Sequence, residues 1–326
     1  VKLATLKNGE RDGALVVVSR DLARAISAQP IAATLMSALE RWDLVAPQLA
    51  DLYARLNGGS ATGAFAFDQS RAAAPLPRAN QWLDGSTYSS HGNLMKQSLK
   101  LERQPSAPFP LMYQGMASEL LGCCDDEPVV SEADQIDFEA EIGVIAGSLR
   151  AGASVDEAAV AIKLIVLLND WSLRALVPAE INSGFGFLRS KAPTSFAPVA
   201  VTPDEPGLGW RDGKLHLPVL VHYNDKPWGH PSAAGMDYSF PQLVAHAASS
   251  RRLLAGTIIG SGTVSEGDPP RVGSSCIAET RGYEIIHQGS ASSQYMRFGD
   301  RVRIEVTGPD GASVFGTINQ RVVRAG

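Results

Sequence analysis

Apolar and polar positions alternate through residues 137 to 147, DFEAEIGVIAG, in the manner of a half-buried β-strand. Phe138, Ala140, Ile142 and Val144 share one face under a period of two, and Asp137, Glu139 and Glu141 share the other. Carboxylates on neighbouring same-face positions repel, and more strongly where the dielectric is low, so the pattern calls for a positive partner. Towards the start, KLATLKNGERDGALVVVSRD reads as two short strands about a Gly/Asn/Asp turn, and residues 30 to 56 repeat at helical spacing. Together they predict a small N-terminal α/β domain over residues 1–75. The Gly/Ser/Ala-rich stretch from 57 to 80 loses periodicity and predicts a linker, with a larger domain over 80–326. There Ser154 and Glu157 form a capping box, and the apolar spacing predicts a helix running on to about Arg174, before Pro178. Short β-branched runs cut by Gly, Pro and Asp fill most of the rest, with GPDG and YNDK as hairpin turns. The expected fold class is α+β, mainly β.

Composition narrows the functional classes. With 326 residues, 44% hydrophobic and 19% charged, the chain can bury a sizeable core and a second, smaller unit. A net charge of -5 and the lack of any dense Lys/Arg run argue against nucleic acid as a partner. The charged start lacks a signal-peptide core, and the most apolar run, Ile162 to Leu168, is interrupted by Lys163 and too short to span a bilayer. The expectation is a cytoplasmic protein with no membrane partner. Cys123 and Cys124 are adjacent and Cys276 is distant, which gives neither a disulfide framework nor a zinc pattern and argues against redox and zinc roles. Cys276, in the strand-like SSCIAE, reads as a buried structural thiol.

Two further acidic positions bear on the strand's repulsion. Asp170, in NDWSLR, reads by itself as one half of a helical pair with Arg174, and Asp84, in the Gly/Ser-rich WLDGSTYSSH, as an ordinary turn aspartate. Taken with Glu139 and Glu141 they make an all-carboxylate set without His or Cys, which suits Mg²⁺, Mn²⁺ or Ca²⁺ over Zn²⁺. A cation held there would neutralise the strand, provided that loops and helix ends meet.

The segments WLDGSTYSSH, PLMYQGMAS, DFEAEIGVI, LNDWSLR, FLRSKAPTSFAP and IIGSGTVSEG with SSCIAE occur in an order that resembles the fumarylacetoacetate hydrolase superfamily. The resemblance covers residues 80 to 326 and, weakly, the N-terminal unit. It implies a mixed β-sandwich roll, a homodimer, and one divalent cation per chain, Mg²⁺ first and Ca²⁺ or Mn²⁺ next, on Asp84, Glu139, Glu141 and Asp170. Asp137 matches no family role and reads as flanking or structural. The implied reaction is hydrolysis of a carbon–carbon bond in a small diketo acid, fumarylacetoacetate or an acylpyruvate. The 2-keto acid hydratase and oxaloacetate-type decarboxylase outcomes of the same scaffold stand as alternatives. In that reading His91 is the base and Glu279 its orienting partner, as in hydrolase triads. Arg174 and Lys191 stabilise developing negative charge, and Thr263 adds a hydroxyl. Tyr113 and Tyr88 match substrate-binding tyrosines. Where the family has an arginine for the far carboxylate, the nearest cation here is Lys100, a point charge and not a fork. Val177 stands where the animal enzymes have Gln, and Ile181 where they have Tyr, so the exact substrate is left open.

Overall fold

The computed structural model describes residues 1–98 and 108–326. Its largest unit is an 11-stranded sheet whose central members, Ile162–Asn169, Ala140–Ala146, Thr257–Gly260 and Gln81–Gly85, lie side by side, with Met112–Gly115 at the edge. The first three alternate in direction, whereas Thr257–Gly260 and Gln81–Gly85 run parallel. A five-stranded sheet, Lys226–Gly229, Val219–Tyr223, Arg301–Thr307, Ser313–Arg324 and Glu127–Val129, packs against one face of the large sheet. The side chains follow the period of two. Ile142, Val144, Ile165 and Ile259 meet Val219, Ile304 and Phe315 of the second sheet, while Ile145, Leu164, Val166 and Ile258 meet Leu35, Leu49 and Leu56 of the N-terminal helices.

The N-terminal unit extends this sheet, because Lys2–Leu6 pairs with Ala200–Val201 as well as with Ala14–Val18. The helical pattern from 30 to 56 resolves into Leu35–Leu39 and Trp42–Asn57, preceded by a third strand, Arg24–Ser27. Within the stretch predicted as a linker, residues 62–66 are exposed although Phe65–Ala66 pairs with Arg24 and Ala25, while Ala72, Ala74 and Leu76 are buried.

The capping box at Ser154 and Glu157 is present, but its helix ends at Ala161 and Ile162–Asn169 is a strand. That corrects the long helix predicted to Arg174. An apolar run covered on both faces carries no period to tell helix from strand, and β-branched Ile162, Ile165 and Val166 suit the central strand it forms. SSCIAE is corrected too: Cys276 is the N-cap of the helix Ile277–Gln288, so Glu279 lies in a helical first turn and not at a strand end. The YNDK turn forms as expected, with Asn224 and Asp225 both left-handed at φ 48° and 62°, as a two-residue hairpin requires.

Candidate active site

Antiparallel pairing places the start of Ala140–Ala146 beside the ends of Ile162–Asn169 and Thr257–Gly260, and the parallel partner Gln81–Gly85 ends at the same level. Glu141, Asp170 and Asp84 therefore converge, each buried and each offering an oxygen within 4.8 Å of the others. The close approach depends on Gly260, where a Cβ would lie 2.4 Å from Asp84 Oδ1 and 2.5 Å from the Trp82 ring. Asp84 Oδ1 accepts the Gly262 N–H at 3.0 Å. Thr263, next in the chain, is also buried.

Both carboxyl oxygens of Glu141 are buried without a hydrogen-bond partner. Its burial, reinforced by Asp84 and Asp170, pushes the carboxyl well above the usual range. Asp84 is pushed up to about 8, by burial first and by Asp170 next. Asp170 has partners: the Tyr113 hydroxyl donates at 2.6 Å, the Thr194 hydroxyl at 2.9 Å, and Lys191 Nζ lies 2.6 Å away. Tyr113 stands directly across from Asp84 in the adjoining edge strand, which brings its ring beside the cluster.

Glu139 sits next to the trio and is gripped by cations. Lys191 Nζ donates to Oε2, and an Arg174 terminal nitrogen lies 2.7 Å from Oε1. Against the opposing effect of burial, Arg174 and Lys191 hold this carboxyl well below its ordinary value. The cations that the acidic strand called for are thus within the chain at Glu139, while Glu141 has none in contact. Asp137, without a role in the sequence reading, is wholly buried and accepts the Ile277 and Ala278 N–H groups at 2.7 and 2.9 Å and Arg174 Nε at 2.8 Å. A carboxylate against the positive end of a helix is favourably placed, and here it ties Arg174 to the helix that carries Glu279. The alternation placed Asp137 on the polar face; its helix partner, 140 residues away, has no local signature.

Glu279 accepts the Ser265 and Ser274 hydroxyls at 2.5 and 2.7 Å. Burial works against its ionised form, but His91 and the two serines keep it below the usual glutamate value. His91, on the helix Ser89–Ser98, places Nδ1 3.8 Å from Glu279 Oε1, and this nitrogen is enclosed without a hydrogen-bond partner. The two groups are neighbours, at a separation longer than a direct hydrogen bond.

The remaining expected residues fall in different places. Lys191 Nζ also donates to Ser172 Oγ at 2.8 Å and lies 5.5 Å from the centre of the Tyr113 ring. Tyr88 is buried with its hydroxyl donating to the Ala233 carbonyl at 2.9 Å. Lys100 lies outside the described residues. Sequence reasoning missed Thr194, which has no motif of its own, and Glu180, whose carboxylate accepts the Leu188, Arg189 and Ser190 N–H groups and the Ser190 hydroxyl at 2.6 to 3.1 Å. These bonds fasten the loop leading into Lys191.

The donor set fits a hard divalent cation: converging carboxylates, no sulfur or imidazole, and an orphaned buried carboxylate at the centre. Among the described residues no helix is long and apolar enough to cross a membrane.

Residues 1–78 match the family model described as fumarylacetoacetase N-terminal domain 2, and residues 80–323 match that of the fumarylacetoacetate hydrolase C-terminal domain. A fumarylacetoacetase of Arabidopsis thaliana is 26% identical over 261 residues, which is 66% of this chain and 61% of the relative. A 2,4-didehydro-3-deoxy-L-rhamnonate hydrolase of Sphingomonas sp. is 29% identical over 173 residues, 51% of this chain and 58% of the relative. The chain spans less than two thirds of the length of these curated relatives. Among solved structures, the maleylpyruvate hydrolase of Sphingobium sp. SYK-6, in complex with manganese(II) ion and pyruvate, superposes with a TM-score of 0.67 at 16% identity, covering 100% of both chains. The fumarylacetoacetate hydrolase of Exiguobacterium antarcticum gives 0.66 at 16%, covering 99% of each. At such identities these likenesses show a common fold. With the N-terminal and C-terminal models matched in sequence order, the chain belongs to the fumarylacetoacetate hydrolase family.

Proposed function

We propose that this protein is a metal-dependent hydrolase that splits a carbon–carbon bond in a small diketo acid, fumarylacetoacetate or an acylpyruvate. The observation that carries the reading is a buried carboxylate trio, with Glu141 uncompensated, together with a His91–Glu279 pair whose imidazole is near enough to act on Glu139 beside that trio. Asp84, Glu141 and Asp170 would hold a divalent cation, with Glu139 beside them and already engaged by Arg174 and Lys191. That cation would act as a Lewis acid towards the two carbonyl oxygens of the substrate.

The chain's own residues account for the rest. With Nδ1 turned towards Glu279, His91 keeps Nε2 for a proton from water, and Glu279 favours the resulting imidazolium. The water oxygen adds to one carbonyl carbon, the bond to the neighbouring carbon breaks, and that carbon receives the proton from His91. The products are a carboxylic acid and a ketone. Lys191 and Arg174 stabilise the negative charge that passes through the site, in a setting where burial strengthens their effect. Decarboxylation needs no activated water, so the His91–Glu279 pair favours hydrolysis over that outcome. Names of relatives support the substrate class, among them the fumarylacetoacetase and the maleylpyruvate hydrolase.

His91→Ala tests the reading in a steady-state assay. Loss of the base is expected to lower kcat by a factor of about 100 or more with little change in cation affinity. Turnover at the wild-type rate in this variant would overturn the hydrolytic mechanism.

A further inference from the structure

Away from the candidate active site, Cys123 and Cys124 sit in the tight turn from Gly122 to Asp125, where the Asp125 N–H bonds the Gly122 carbonyl at 3.2 Å and the Asp125 carboxylate accepts the Gly122 N–H at 2.8 Å. In extended backbone, adjacent side chains point to opposite sides. Here the turn brings the two Sγ atoms to 3.5 Å. Cys123 is fully buried, its sulfur 3.2 Å from the Gln69 carbonyl, while Cys124 is partly exposed. Lys7 forms an ion pair with Asp125 at the edge of the turn. We propose that Cys124 and Cys123 form a thiol pair that hydroperoxides oxidise reversibly to a vicinal disulfide, with Cys124 the attacking and Cys123 the resolving residue.

The roles follow from access and acidity. Only Cys124 meets solvent, and the neighbouring Cys123 thiol, opposed by partial burial, holds it at about 7, so that much of it is thiolate near neutral pH. The contact with the Cys124 thiol, and burial after it, push Cys123 the other way. The Cys124 thiolate attacks the terminal oxygen of the hydroperoxide; the O–O bond breaks, the departing alkoxide takes a proton from water and leaves as an alcohol, and a sulfenic acid is left. The Cys123 sulfur then attacks the Cys124 sulfur, forming S–S and breaking S–O, and hydroxide takes the Cys123 proton and leaves as water. Two thiols are oxidised and one peroxide is reduced.

Strain makes the product labile. Neighbouring Cα atoms are about 3.8 Å apart, below the roughly 4.4 Å at which ordinary disulfides begin, so an adjacent pair closes only by distorting its peptide unit. The turn is also tied on both sides. Asn319 N–H donates to the Cys123 carbonyl at 2.7 Å, and Gln320 Nε2 bonds the Asp125 carbonyl at 2.8 Å. Gly122 leaves no slack, since a Cβ there would lie 2.5 Å from the Ala72 carbonyl oxygen. Ring closure must therefore strain these bonds, giving a bond that mild thiols reduce and an oxidised protein that melts at a lower temperature.

The test exposes reduced protein to hydrogen peroxide, blocks remaining thiols with iodoacetamide, and follows the peptide containing residues 123 and 124 by mass, with thermal melting in parallel. The expected peptide lacks the two thiol hydrogens, carries no alkyl group, and returns to the doubly alkylated form after dithiothreitol, with the lowered melting temperature restored. Cys123→Ser should stop at a dimedone-trappable sulfenic acid on Cys124, and Cys124→Ser should leave Cys123 reduced. Conversion of wild-type Cys124 to sulfinic acid without a linked form would overturn the proposal. So would oxidation of Cys276 first, or a linked form whose melting is unchanged.

Discussion

Asp137→Asn removes one charge from a fully buried position at which three donors converge: the Ile277 and Ala278 N–H groups and Arg174 Nε. Oδ1 accepts one of them and Oδ2 the other two. An asparagine keeps one oxygen and turns its amide nitrogen against at least one donor, so it leaves a buried donor unpaired and takes the counter-charge from Arg174. Breaking a buried, hydrogen-bonded charge pair from one side costs about 3 to 5 kcal/mol. Arg174 keeps Glu139 as a second partner, which puts the expected loss at the low end, about 3 kcal/mol. For a chain of this size that is a fall in Tm of about 5 °C. Turnover should fall as well, because the freed helix start carries Glu279. The assay is a urea titration and a thermal melt of both proteins at neutral pH, with a double-mutant cycle to Arg174→Met. Shared partners predict strong non-additivity, with the double variant little worse than the worse single one. An Asp137→Asn protein with unchanged midpoint and full turnover would refute the reasoning, and additive losses would refute the coupling.

Other perturbations follow from the same contacts. Glu127 is fully buried with neither carboxyl oxygen partnered, and burial, reinforced by Glu119, pushes it well above the ordinary value. The folded chain then holds a proton that the unfolded chain releases above its ordinary value of 4.5, so this group's contribution declines as pH rises past that point. Glu127→Gln should remove that decline and gain about 1 kcal/mol or more over wild type in alkaline urea titrations, with little difference at or below the ordinary value of 4.5; a parallel pH dependence in the two proteins would contradict it. Lys191→Met leaves Glu139 and Asp170 without their shared ammonium, so the metal-free variant should lose about 3 kcal/mol and regain more stability from added Mn²⁺ than wild type does. Equal Mn²⁺ stabilisation in both proteins would count against this. Glu180→Ala should speed hydrogen exchange at Leu188, Arg189 and Ser190 and lower kcat with little effect on global stability, since the loop they form leads directly to Lys191.

Local patterns carried part of this account. The alternation in DFEAEIGVIAG grouped Glu139 with Glu141, but the half-buried strand it predicted is two strands, Ile136–Asp137 and Ala140–Ala146, in different sheets and buried throughout; the capping box fixed a helix start at Ser154. The helix end was hidden because a strand buried on both faces has no period, and Ile162 to Leu168 are almost wholly such residues. Cys276 was misplaced because a thiol acting as N-cap does not resemble the usual hydroxyl or carboxylate cap. The partners of Asp137 and Glu180 are main-chain N–H groups, which every residue possesses, so no side-chain motif announces them. Adjacent cysteines gave no metal or disulfide spacing, and only the turn at Gly122 shows that their sulfurs face each other. Tyr88 illustrates the reverse: a tyrosine in a motif-bearing segment whose hydroxyl is spent on a backbone carbonyl.

The measurement closest to the central claim is turnover by metal-stripped protein offered fumarylacetoacetate and then an acylpyruvate, before and after Mg²⁺ or Mn²⁺, in wild type and Glu141→Gln, with products identified by mass. The account predicts no turnover without metal, restored cleavage to a carboxylic acid and a ketone with it, and no restoration in Glu141→Gln. Cleavage by the stripped protein at the full rate, or restoration in Glu141→Gln equal to that of wild type, would contradict it.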